Sequence, residues 1–127
     1  MDKSVPFAEG SYIVERAILI APDGSGVALK DALIEVFSDP NGNRVMQGRG
    51  FVRNLALVKL LETQERVDLL LDLGEGFKYL LERPTIQAGK VFEPKVESVL
   101  HFAPASPIIR LSEEEFNLRC ANVVLKE

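Results

Sequence analysis

The chain lacks the residues needed for a covalent or metal-held scaffold. Its one cysteine, Cys120, has no partner for an intramolecular disulfide. With His101 as the sole histidine, the nitrogen and sulfur ligands fall short of a usual tetrahedral zinc site. No apolar run approaches the roughly 20 residues that cross a bilayer. Neither GxGxxG nor the GxxxxGK pattern of a phosphate-binding loop occurs, so no nucleotide fingerprint is present. Basic charge is short as well. Fifteen Lys and Arg against 19 Asp and Glu leave a net charge of -4, and a global pull toward DNA, RNA or anionic lipid is missing. The aromatics are scattered, and only Phe51 falls inside the basic stretch, which leaves no stacking platform for single-stranded nucleic acid. The expectation is therefore a chain without metal or cofactor, with neither nucleic acid nor membrane as partner. The opening MDKSVPFAEGSY carries Asp2 and Glu9 and no apolar h-region, so no signal peptide is expected and the location is read as cytoplasmic.

What is present is an ordinary globular composition, 46% apolar and 27% charged over 127 residues. That length fits one domain over 1–127, with 1–11 a loose lead-in holding Pro6 and Gly10. Alternation with β-branched residues predicts strands over 12–21, 27–37, 67–73, 77–82 and 96–102. Pro22-Asp23-Gly24-Ser25-Gly26, Asn41-Gly42 and Gly74-Glu75-Gly76 read as turns, Asn41-Gly42 being a strong hairpin signal. Residues 54–66 are good helix formers with Ala56, Leu57, Val58, Leu60 and Leu61 on one arc, and read as a helix, the rival reading being a short buried strand followed by a turn. Ser112-Glu113-Glu114-Glu115 is a capping box opening a second helix near 113–121. Val123 to Leu125 reads either as the end of that helix or as a closing strand. Thr85 to Pro94 reads as loop. The fold class that follows is α+β: mostly antiparallel sheet, sandwich- or barrel-like, with one or two helices. The expected core holds Ile18, Ile34, Val36, Leu57, Leu61, Leu69, Leu71, Tyr79 and Leu100.

One stretch stands out chemically. Between Asp39 and Glu62 lie Arg44, Arg49, Arg53 and Lys59 with no acidic residue among them. Arg44 to Gln47 should pair back antiparallel after the Asn41-Gly42 turn, and Gly48-Arg49-Gly50 should interrupt that return strand, as at a bulge or a close backbone approach. Arg44, Gly48, Arg49, Gly50 and Arg53 are therefore the candidate contacts for a phosphate- or carboxylate-bearing ligand. The competing reading is a solvated hairpin that discourages edge pairing. Asp68 and Asp72 lie about 13 Å apart on a strand at ~3.3 Å per residue, too far for one metal ion, and read as solvated outer-face charges. His101 shares its strand face with Glu97 and Val99 rather than Ser98, which leaves it without a nucleophile partner. Cys120 reads as a small buried apolar residue. No catalytic constellation emerges, which leans against an enzyme. The function expected is a non-enzymatic binding or assembly domain, self-associating as a homodimer or with a protein partner, because Leu33, Phe37, Leu70 and Leu80 sit on second strand faces that need cover. The alternative is a small enzyme or sensor for an anionic ligand held by Arg44, Arg49 and Arg53.

Overall fold

The computed structural model describes residues 7–63, 66–88 and 97–125. The elements run β1 (Gly10–Ile13), β2 (Arg16–Ile20), β3 (Ser25–Ser38), β4 (Arg44–Arg53), α1 (Asn54–Thr63), β5 (Asp68–Asp72), β6 (Lys78–Leu81), β7 (Thr85–Ala88), β8 (Glu97–Ala103), β9 (Ile109–Leu111), α2 (Glu113–Ala121) and β10 (Val124–Leu125). The long β3 ties the sheet together. Its first half pairs with β2, and its second half lies between β1 and β4. From there the order is β7-β8-β4-β3-β2-β5-β6-β9, all antiparallel, with β10 alone running parallel to the start of β3. The β3–β4 register slips between Lys30 and Leu33, where Asp31 takes φ 50°. Such a bulge bends a strand and raises its twist. The sheet accordingly curls into a half-barrel. The class is α+β with a mostly antiparallel sheet and two helices, as the alternation implied.

Both expected hairpin turns close as their residues dictate. At Asn41-Gly42 the Asp39 carboxylate accepts from the Asn41 and Asn43 amides, each at 2.9 Å, while Gly42 takes φ 80°. At Gly74-Glu75-Gly76 the Phe77 amide donates to the Gly74 carbonyl at 3.0 Å. The capping box of α2 is complete, with Ser112 and Glu115 bonding each other's backbone amides.

Several expectations need correction. Residues 12–21 do not form one strand: Val14 and Glu15 separate β1 from β2, because the two pair with opposite halves of the bent β3. Residues 85–88 are strand rather than loop, held by antiparallel pairing to β8, and 89–94 lie outside the described residues. Among the described residues α1 covers Asn54–Thr63 and Arg66 is not helical, while 64 and 65 of the expected 54–66 helix lie outside the described residues. Leu61 is 43% exposed although expected in the core. Ala56, Leu57 and Leu60 fill the contact arc, and at 100° per residue Leu61 falls about 90° from its centre. Within the supposed lead-in, Phe7 is buried and packs edge-on against Tyr79 at 4.9 Å between ring centres. The remaining expected core residues are buried.

The main core joins inward side chains from strands of both halves of the sheet with Ala56, Leu57 and Leu60 of α1, which lies against β3 and β4. A second, smaller cluster lies on the outer side of β2, β5 and β6: Ile18, Leu70 and Leu80 pack there with Leu111 and with Phe116 of α2. Half of the sheet thus has both faces covered.

Candidate functional site

Alternation along β4 decides where its arginines go. Met46, Gly48, Gly50 and Val52 face the core, so Gln47, Arg49, Phe51 and Arg53 face out. Arg44 belongs to the inner set at the strand's start, where its guanidinium donates to the Phe7 carbonyl at 2.6 Å. The three arginines do not converge. Arg49 and Arg53 share a face but are four residues apart, about 13 Å along a strand. The glycines, too, take a different role from an anion nest. The strand runs through them unbroken, and each is pressed by a neighbour. A Cβ on Gly48 would lie 2.1 Å from the Phe102 ring, and one on Gly50 would lie 2.9 Å from Leu29. The close backbone approach read from Gly48-Arg49-Gly50 is present, made by the core rather than by a ligand.

The outer face of β1, β3, β4, β8 and β7 forms an open platform. One cross-strand row runs Ile13, Leu33, Arg49, His101 and Gln87. The next carries Ser11, Glu35 and Gln47, with Phe37 and Val45 beyond. No helix covers this face among the described residues. Ile13 is 83% exposed, Phe37 40% and Phe51 41%. His101 sits between Arg49 and Gln87 with no nucleophile in its row, and it borders two open hollows, one of about 110 Å³ beside Glu35 and Arg49 and one of about 250 Å³ beside Thr85 and Gln87.

Where β4 ends, the sheet leaves a gap. The β3–β4 ladder stops at Lys30, and β10 meets β3 only at Ser25 and Gly26, so among the described residues no strand takes the edge of 27–29 on that side. A cleft of about 320 Å³ opens there, with Ala28, Phe51 and Ala56 on its walls and Lys30, Arg53 and Glu97 at its rim. Lys30 and Glu97 pair at 2.9 Å, whereas Arg53 makes no ion pair among the described residues.

A charged cluster lies beneath α2, where residues read as solvated are in fact enclosed. Asp72 and Lys78 are both buried, and the Lys78 ammonium sits 2.9 Å from Asp72, 3.2 Å from Glu113 and 2.8 Å from the Gly74 carbonyl. Asp72 also accepts from the Gly74 amide at 2.9 Å and from Arg16 Nε at 3.3 Å. Glu113 Oε2 accepts from the Gly76 amide. Burial raises the Asp72 carboxyl, but the hydrogen bonds from Lys78, Gly74 and Arg16 outweigh it and hold it below the usual carboxylate range. Its bond to Asp72 raises Lys78 against the opposing effect of burial. Both groups stay charged at neutral pH, which suits a clamp on α2 and not a nucleophilic amine. Asp68 is half-buried and pairs with Arg66 at 3.2 Å. Burial pushes the Cys120 thiol up, away from the reactive thiolate. The signal for the clamp was available in the alternation itself, which put Asp72 and Leu70 on one face, and in the acidic first turn of the helix that covers them.

Comparisons with protein-family models, with curated proteins and with solved structures found no significant match to the chain.

Proposed function

We propose that this chain is a non-enzymatic assembly domain that binds a second copy of itself through the open platform. The observation that carries the reading is an asymmetry. One outer half of the sheet is covered by α2 on an apolar cluster, while the other presents Ile13, Phe37 and Phe51 to solvent with Leu33, Val45 and Val99 half-buried among them. Two-sided strands need cover, and a two-fold pair of identical faces supplies it. Charge favours a like copy. Glu35 and Arg49 lie on neighbouring rows of this face and make no ion pair among the described residues. A two-fold axis between them sets each Glu35 against the partner's Arg49, two contacts for one operation. Five strands about 4.8 Å apart and some five residues at ~3.3 Å give a flat area of roughly 400 Å². Even enlarged by side-chain relief, that is at or below the ~800 Å² per partner of a standard interface, so the dimer is weak and concentration-dependent. Among the described residues no helix is long and apolar enough to cross a membrane, and a cytoplasmic location belongs to the same reading.

Sedimentation velocity from about 10 µM to about 1 mM tests it. Wild type should move from monomer toward dimer, and Arg49→Glu should stay at the 14.1 kDa monomer. The double variant Glu35→Arg/Arg49→Glu should dimerise again, since reversing both charges restores the cross-pairing. A wild type that remains monomeric throughout overturns the proposal.

A further inference from the structure

The cleft at the end of the β3–β4 ladder has the build of a ligand site. We propose that it binds a small monocarboxylate with a flat apolar body, the carboxylate on Arg53 and the body against Phe51 and the alanines Ala28 and Ala56. Size sets the first limit. About 320 Å³ is near the lower bound for small-molecule pockets and holds roughly eleven heavy atoms at ~30 Å³ each. Charge sets the second. Lys30 and Arg53 are cationic and Glu97 anionic, and Glu97 is already engaged by Lys30 at 2.9 Å. Among the described residues one positive charge remains without an ion pair, which matches a monoanion better than a phosphate dianion. Ala56 belongs to the first turn of α1, and that turn carries no acidic side chain to oppose an anion. The unpaired edge at 27–29 is too short to accept a peptide strand, but it leaves backbone groups of β3 within the cleft's wall. The site does not rest on self-association.

The probe is 3-phenylpropanoate, titrated into nitrogen-15-labelled protein at low salt, where an exposed Arg53 is least screened. Saturable amide shifts are expected at residues 27–30, 51–56 and 97, with a Kd in the range of about 0.1–5 mM. The uncharged 3-phenylpropanamide should bind at least about ten-fold more weakly, and so should Arg53→Gln with the acid. Ala28→Leu fills the cleft from an exposed position and should abolish saturation while leaving Tm unchanged. Inorganic phosphate should give no saturable shifts. Shifts that are absent up to about 20 mM, or that are equal in Arg53→Gln and wild type, overturn the assignment. Tight phosphate binding overturns the monoanion class. Arg49→Glu, which tests the dimer, should leave these titrations intact, so the two proposals can fail separately.

Discussion

Replacing Lys78 by Met isolates the charge of the cluster beneath α2. Met keeps an unbranched apolar stem in place of the lysine stem, so packing under Phe116 changes little while the ammonium is removed. Asp72 then stays enclosed, its side chain 8% exposed, and retains Arg16 Nε at 3.3 Å and the Gly74 amide at 2.9 Å. Breaking a buried pair from one side costs about 3–5 kcal/mol when the remaining charge has no other partner. Two surviving donors bring the expected loss to about 2–3 kcal/mol. For a domain of this size that lowers Tm by roughly 8–12 °C in a calorimetric scan. The pH dependence has a definite sign. Asp72 is depressed in the folded state, so its contribution is present above about pH 4 and disappears as pH falls through its folded value. Lys78 is raised, so its contribution is present below about pH 10.4 and disappears as pH rises through its folded value. The stability difference between wild type and Lys78→Met is thus flat across neutral pH and shrinks at both limits. Asp72→Leu/Lys78→Met, which removes both buried charges, should recover to within about 1–2 kcal/mol of wild type. A single variant that melts within about 2 °C of wild type, or a double variant less stable than the single, would refute the reasoning.

Three other substitutions probe the fold. Gly48→Ala drives a methyl into the buried Phe102 ring and should cost about 2–3 kcal/mol by denaturant titration, with Phe102→Leu in the same chain recovering part of the loss. Leu71→Ala empties a fully enclosed site and should cost about 2–5 kcal/mol, whereas a loss under about 0.5 kcal/mol would place Leu71 at the surface. Gly42→Val forces a β-branched residue to φ 80° at the β3–β4 turn and should cost about 1–2 kcal/mol; unchanged melting would mean that the turn tolerates the strain.

Local chemistry accounts for much of this protein. The turns at Asn41-Gly42 and Gly74-Glu75-Gly76 close hairpins because Gly42, Gly74 and Gly76 accept a positive φ, and Ser112 with Glu115 starts α2 wherever that helix is placed. The period of two told which residues of β3, β5 and β8 share a face. It could not say what lies over that face. Leu70 with Asp72 and Leu33 with Phe37 show the same pattern in sequence. Yet Leu70 and Asp72 are buried beneath a helix that begins far along the chain, at Glu113, whereas Leu33 and Phe37 face outward. Likewise Arg44, Arg49 and Arg53 read as one basic run, but strand alternation divides them between two faces, and long-range pairing sets Arg53 beside Lys30 and Glu97. Turns, caps and two-sided strands were legible in the residues alone, because each depends on a few neighbours along the chain. The bend in β3, the covering of one outer face and not the other, and the cleft at the end of the ladder emerge only on folding, because each depends on which distant segments meet.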